Sequence, residues 1–208
     1  MKPKLWILPI AFLISVSYGK GFMNNNQRYT STQKEEEKRF QENPNPQKGY
    51  RVTIKIENAP GEFEKLYTYA NYQTRNCQYQ LKGFAGASLQ PYHRIPLEFK
   101  KISDTEYQGE FYVDGMLDED YGYGGGICHW GFNNVSIVFS ATENVDDTRF
   151  SASISDSDLN KKQLEFNHLK ENYPIDEKLP RYLSQGGLKK ERFKPEEYFT
   201  FYIELEEI

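Results

Sequence analysis

Long apolar runs are scarce in this 208-residue chain, and so are the side chains that most often carry chemistry. The three histidines, His93, His129 and His168, stand at no metal-ligand spacing, and there is no HExxH or CxxC element. No serine sits in a GxSxG elbow. The glycines at 122 and 124–126 are followed by no Lys-Ser/Thr pair and no predicted helix, so they form no phosphate cradle. Zinc hydrolysis, dithiol redox chemistry, serine hydrolysis and nucleotide binding therefore lack a sequence basis, and no cofactor is expected. Positive charge is short as well: 26 Lys+Arg stand against 30 Asp+Glu, for a net charge of −4. Phosphate backbones and anionic lipids are bound through clustered Lys/Arg, so neither nucleic acid nor a membrane surface is the expected partner.

The N-terminus holds the one apolar run that invites interpretation. Lys2 and Lys4 precede a stretch from Leu5 to Val16 that is apolar apart from Pro9 and Ser15. Ser17-Tyr18-Gly19 then puts small residues at the −3 and −1 positions of a cut after Gly19. This is the three-part pattern of a secretory signal, and it is shorter than the roughly 20 apolar residues of a membrane helix. The expected organisation is a signal peptide over 1–19, a flexible polar linker over 20–48 and a single domain over 49–208. Removing residues 1–19 takes two of the 26 cations and no acid, which leaves 24 against 30, a net charge of −6.

With only two cysteines in an exported chain, Cys77 and Cys128 are expected to form a disulfide. Residues 20–48 offer Phe22, Met23, Tyr29 and Phe40 as their sizeable apolar groups, which is little to offset the entropy of ordering. From Gly49 onward, period-two alternation dominates. Tyr50, Val52, Ile54 and Ile56 share one face, and Arg51, Thr53, Lys55 and Glu57 share the other. An aromatic strand is expected within 63–72. A hairpin is expected from Ile95, Leu97 and Phe99 to Tyr107, Phe111 and Val113, and another from Val135, Ile137 and Phe139 to Phe150, Ala152 and Ile154. A last strand runs through Phe199, Phe201, Ile203 and Leu205. The spacing of Leu159, Leu164, Phe166 and Leu169 predicts one short helix within 157–172, and Pro174, Pro180, Pro195 and Gly186-Gly187 predict a long loop over 173–197. The fold class is mainly β: an antiparallel sandwich, immunoglobulin- or transthyretin-like, with one short helix and long C-terminal loops.

The segment richest in chemistry runs from Asp114 to Trp130. Its carboxylates match no EF-hand spacing, so no metal is expected. Asp118 and Asp120 offer a carboxylate pair for glycan or lipid hydrolysis, although sequence alone does not give the separation such a pair requires. His129 beside Cys128 suggests a Cys–His pair, against the simpler reading of a structural cystine next to a surface histidine. The sequon at Asn134-Val135-Ser136 falls in a predicted strand. As a binding loop, the segment offers Tyr121 and Tyr123 as aromatic contacts, with Asp118, Glu119 and Asp120 for a basic target.

One resemblance enters here. The Ile95-Pro-Leu-Glu-Phe99 strand, Tyr107-Gln-Gly-Glu-Phe-Tyr-Val-Asp114 and the run Asp118-Glu-Asp-Tyr-Gly-Tyr-Gly-Gly-Gly-Ile-Cys-His-Trp130 resemble small exported bacterial proteins encoded beside type VI secretion effectors. Those are presumed periplasmic immunity proteins. The resemblance implies a periplasmic location in a Gram-negative bacterium and a non-catalytic protein that occludes the active site of a cognate effector, a lipase or cell-wall enzyme. The alternatives are a secreted carboxylate-dependent hydrolase and a periplasmic adhesion module.

Overall fold

The computed structural model describes Lys34 and residues 38–80, 86–176, 181 and 183–208. The signal-peptide reading of 1–19 and nearly all of 20–37 lie outside the described residues. Among the described residues, twelve strands follow one another: β1 (Gly49–Glu57), β2 (Lys65–Thr74), β3 (Tyr79–Gln80), β4 (Ser88–Leu89), β5 (Tyr92–Pro96), β6 (Phe99–Ser103), β7 (Glu106–Tyr112), β8 (Trp130–Ser140), β9 (Arg149–Ser155), β10 (Gln163–Leu169), β11 (Leu183–Ser184) and β12 (Tyr198–Glu207). They form two five-stranded sheets, β10-β12-β1-β7-β6 and β11-β9-β8-β2-β5, plus the small pair β3-β4. Pairing is antiparallel except between β11 and β9, so the second sheet is mixed.

The two sheets face each other as an open sandwich because every long strand alternates. Val52, Ile54, Phe111, Phe199, Phe201 and Ile203 of the first sheet are fully buried, as are Val135, Ile137, Phe139, Phe150 and Ile154 of the second. Aromatic rings carry the contact between layers: Phe139 meets Phe201 at 4.9 Å, Phe150 meets Phe199 at 5.1 Å, and Phe111 stacks on Phe132 at 5.3 Å. Each such ring contributes about 2–3 kcal/mol by leaving water. The expected hairpin β8–β9 forms, with Phe139 opposite Phe150 and Ile137 opposite Ala152.

Two expectations need correction. The helix predicted within 157–172 is instead strand β10, flanked by single 3-10 turns at Asp156–Asp158 and Lys170–Asn172. Leu164, Phe166 and His168 also fit period two, and β12 presents their register partners Ile203, Phe201 and Phe199. A pairing edge with a buried face outweighs weak helical spacing in a chain segment of mixed polarity. The second correction concerns Ile95, Leu97 and Phe99, which do not share one strand. Ile95 lies in β5 of the second sheet and Phe99 in β6 of the first, so only β6–β7 forms the hairpin. Pro96 has no N–H to continue a ladder, and Leu97 turns the corner held by Thr68, whose hydroxyl donates to the Leu97 carbonyl at 2.7 Å. Phe99 then lies across Gly109, where any side chain would run into its ring.

The segment preceding β1 joins the fold earlier than its composition suggests. Phe40 is buried, Asn43 N donates to the Gly115 carbonyl at 2.8 Å, and Leu117 N donates to Gln41 at 2.9 Å. Both carboxylate oxygens of Asp114 accept from backbone, at 2.9 Å from Gln47 N and 3.0 Å from Lys48 N. Partial burial pushes the Asp114 carboxyl up, but these two N–H donors outweigh it and hold it below its ordinary range. The long C-terminal segment is tied to both sheets, through Thr148 N to Pro174 O at 2.9 Å and Asn167 N to Gly186 O at 3.0 Å.

Candidate functional site

The Asp114–Trp130 segment is a braced corner rather than a free loop. Cys77 and Cys128 form the expected disulfide, with Cα atoms 5.4 Å apart and both residues buried. Asn76 reinforces it from the Cys77 side: its amide donates to the Ile127 carbonyl at 2.8 Å and its oxygen accepts from His129 N at 2.7 Å. Cys128 N donates to Glu119 O at 2.9 Å, which closes residues 120–127 into a pinched loop. No helix among the described residues is long and apolar enough to cross a membrane, and no group of three or more His, Cys, Asp or Glu among them is placed to hold a metal ion.

The five predicted contact residues take different roles. Asp118 accepts from Trp130 N with one oxygen and meets His129 Nδ1 with the other, both at 2.8 Å. Glu119 contributes its backbone to the pinch. Asp120 accepts from Gly122 N at 2.9 Å in an Asx turn while remaining exposed. Tyr121 corrects its expected role as a surface anchor, since it is a core residue with 4% of its surface exposed. Its ring meets Phe40 edge-on at 5.3 Å, its hydroxyl donates to Leu117 O at 3.0 Å, and Trp130 Nε1 donates to it at 3.3 Å. Tyr123 is half-buried, stacked on Tyr79 at 5.6 Å, with the Arg39 guanidinium 5.6 Å from its ring centre. The tip beyond it is open. Gly124 and Gly126 adopt positive φ, nothing lies within 4 Å of where a side chain would start at 124–126, and Ile127 is 54% exposed. A cleft of about 350 Å³ beside the tip is lined by Arg75, Gln78, Gln90 and Tyr123.

The hydrolase alternative meets a geometric obstacle in Asp118, whose two oxygens are both committed to backbone and imidazole. His129 is exposed and paired with Asp118, while Cys128 is oxidised, as the cystine reading expects. A serine–imidazole hydrogen bond occurs elsewhere: His168 Nδ1 lies 2.7 Å from Ser184 Oγ. His168 is 1% exposed among Phe150, Phe199 and Phe201, and burial drives its pKa down to about 3. Among the described residues its Nε2 has no hydrogen-bond partner, so none of them orients the ring as a third group would in nucleophilic catalysis.

The outer faces of the two sheets differ in chemistry, a contrast the sequence reading missed. On the first sheet the outward positions include Glu57, Glu106, Glu110, Glu165, Glu204 and Glu206 beside Arg51, Lys55 and Lys100. Arg51 bridges Glu110 and Glu206 at 3.0 and 3.1 Å. On the second sheet, the outward strand positions hold no carboxylate. They hold Tyr67, Tyr69 and Tyr92, a series of Asn and Ser, and the cations Lys65, Arg94 and Arg149. Asn71 is 4% exposed, and its amide donates to Asn134 Oδ1 at 2.6 Å and Ser136 Oγ at 2.9 Å. The Tyr92 hydroxyl donates to Asn71 Oδ1, and the Arg94 guanidinium sits 5.5 Å from the Tyr69 ring centre and 5.7 Å from that of Tyr92. The available signal was the uncharged alternate face of β2, Tyr67-x-Tyr69-x-Asn71-x-Gln73, against the charged alternate face of β1.

Comparison of the chain with family models, curated proteins and solved structures finds no match.

Proposed function

We propose that this chain is an exported, non-catalytic binding protein of the Gram-negative periplasm that neutralises a cognate type VI secretion effector by occluding its active site. The observation that carries this reading is the disulfide-anchored loop: rigid at both ends, bare at its Gly124–Ile127 tip. A loop ordered before binding gives up little entropy on association, which favours tight, slowly released complexes. The Cys77–Cys128 disulfide fits an oxidising compartment. The sandwich that presents the loop is, on this reading, of the immunoglobulin or transthyretin kind, supported by its two largely antiparallel layers.

The test is binding kinetics against the effector encoded beside this chain. A Tyr123→Ala, Asp120→Asn variant is expected to bind about tenfold or more weakly while keeping the wild-type melting temperature within a few degrees, as loss of an aromatic anchor predicts. Wild-type protein that neither binds nor inhibits that effector would remove the reading.

A further inference from the structure

We propose that the outer face of the β11-β9-β8-β2-β5 sheet is a docking surface for a protein partner whose contacting surface is acidic. This rests on the binding-protein reading and deepens it: the loop tip enters the partner, and the sheet face carries the partner's body. Four observations converge. The face has the composition of a contact surface, with tyrosine, asparagine, serine and arginine present and carboxylates absent from its strand positions; at its rim, Glu143 pairs with Lys65 and Asp158 accepts from Ser155. Such depletion is specific to this side of the chain, because the opposite sheet exposes six glutamates while the whole carries a net charge of −4. Arg94 and Arg149 are exposed, so an acidic partner is attracted to this side and repelled by the other.

The face is also ordered before any partner arrives. Asn71, Asn134, Ser136 and the Tyr92 hydroxyl form one network, and Arg94 is held over two rings, so little rotamer freedom remains to be lost. Tyr67, 46% exposed, extends the aromatic row. Five strands about 4.8 Å apart, of which β2 and β8 run 10 and 11 residues and so about 35 Å, give a plate about 20 Å across and up to about 35 Å long. That plate is of the order needed for one side of a stable interface. Finally, the plate is continuous with the loop: Gln73 of β2 pairs with Tyr92 on one side, and the adjoining Thr74 pairs with Trp130 at the loop base on the other.

The experiment uses the full mature chain and the same effector, with kinetics at low and high salt. Arg94→Glu with Arg149→Glu should slow association about tenfold and flatten its salt dependence, whereas Tyr67→Ala should speed dissociation about tenfold. Glu110→Gln with Glu206→Gln, on the opposite face, should change neither. Thermal melts of each variant separate lost binding from lost folding. Wild-type kinetics in both sheet-face variants, with the loop variant impaired, overturns this inference and leaves the loop reading standing. Absence of wild-type binding removes both. Sedimentation run in parallel tests a second copy as occupant: self-association abolished both by Arg94→Glu and by Glu206→Arg would assign the face to this chain's own acidic sheet and overturn the partner proposed.

Discussion

Acidification should weaken this protein through one buried group, His168. Its ring is enclosed by Phe150, Phe199 and Phe201, and burial lowers its pKa from 6.5 to about 3. In the unfolded chain the same imidazole takes a proton near pH 6.5. Above that pH both states are neutral there and nothing is lost. Below it the unfolded state binds the proton and the folded state does not, so stability falls as pH falls and levels off below about pH 3. The slope is about 1.4 kcal/mol per pH unit, so the drop from pH 6.5 to 5 amounts to about 2 kcal/mol. That window lies above the region where the structural carboxylates lose their contribution. Partial burial pushes Asp158 and Glu165 up, but hydrogen bonds from Lys161 and Ser155, and from Lys190 and Asn167, outweigh it and hold both below their ordinary values. The stability these carboxylates supply is present at neutral pH and lost only at lower pH. The assay is urea unfolding of the wild type and His168→Phe at pH 7, 6 and 5. The phenylalanine fits an aromatic surrounding and takes no proton, though it strips Ser184 of its partner and lowers stability at every pH. Wild-type stability should fall by about 2 kcal/mol more than the variant's across the window. Parallel curves for the two proteins would refute the reasoning.

Protein isolated under non-reducing conditions and denatured without reductant should show no titratable thiol, and Cys128→Ala should cost about 3–4 kcal/mol, as closure of a loop spanning 51 residues implies; two free thiols would contradict the pairing. Tyr121→Ala should destabilise by about 3 kcal/mol in a thermal or urea melt because it empties a site shared with Phe40 and Trp130. A variant as stable as the wild type would mean that Tyr121 is a surface residue after all. N-terminal sequencing of exported protein should begin near Lys20, and intact Met1 in the membrane fraction would point to an uncleaved anchor.

Much of this architecture was legible because alternation is a local record of burial. Val52-x-Ile54-x-Ile56, Val135-x-Ile137-x-Phe139 and Phe199-x-Phe201-x-Ile203 each mark their own strand, and the presence of only two cysteines behind a signal-like N-terminus marked the disulfide. Where two local patterns fit, the sequence was ambiguous. Leu164, Phe166 and His168 suit a strand, the same segment also suits a poor helix, and only the open edge of β12 chose between them. Ile95, Leu97 and Phe99 alternate without interruption, yet a proline and the competing edges of two sheets divide them.

The candidate site shows the same division more sharply. Composition singled out the Asp118–Tyr123 loop and its anchoring cysteine, but it did not distinguish Tyr121 from Tyr123, two residues apart in the same Tyr-Gly repeat. Tyr121 is buried because Phe40, from a segment 81 residues earlier, folds back against it. The acid-free outer face likewise assembles Tyr67, Tyr92, Ser136 and Arg149 from four strands, and no single strand carries it. Sequence by itself determined which side chains turn inward along the strands of plain alternation, such as β1, β8, β9 and β12, and which two sulfurs meet, since these follow from periodicity and elimination. Which strands become neighbours, and so which outward side chains form one continuous surface, was decided only when long-range pairing competed for every exposed edge.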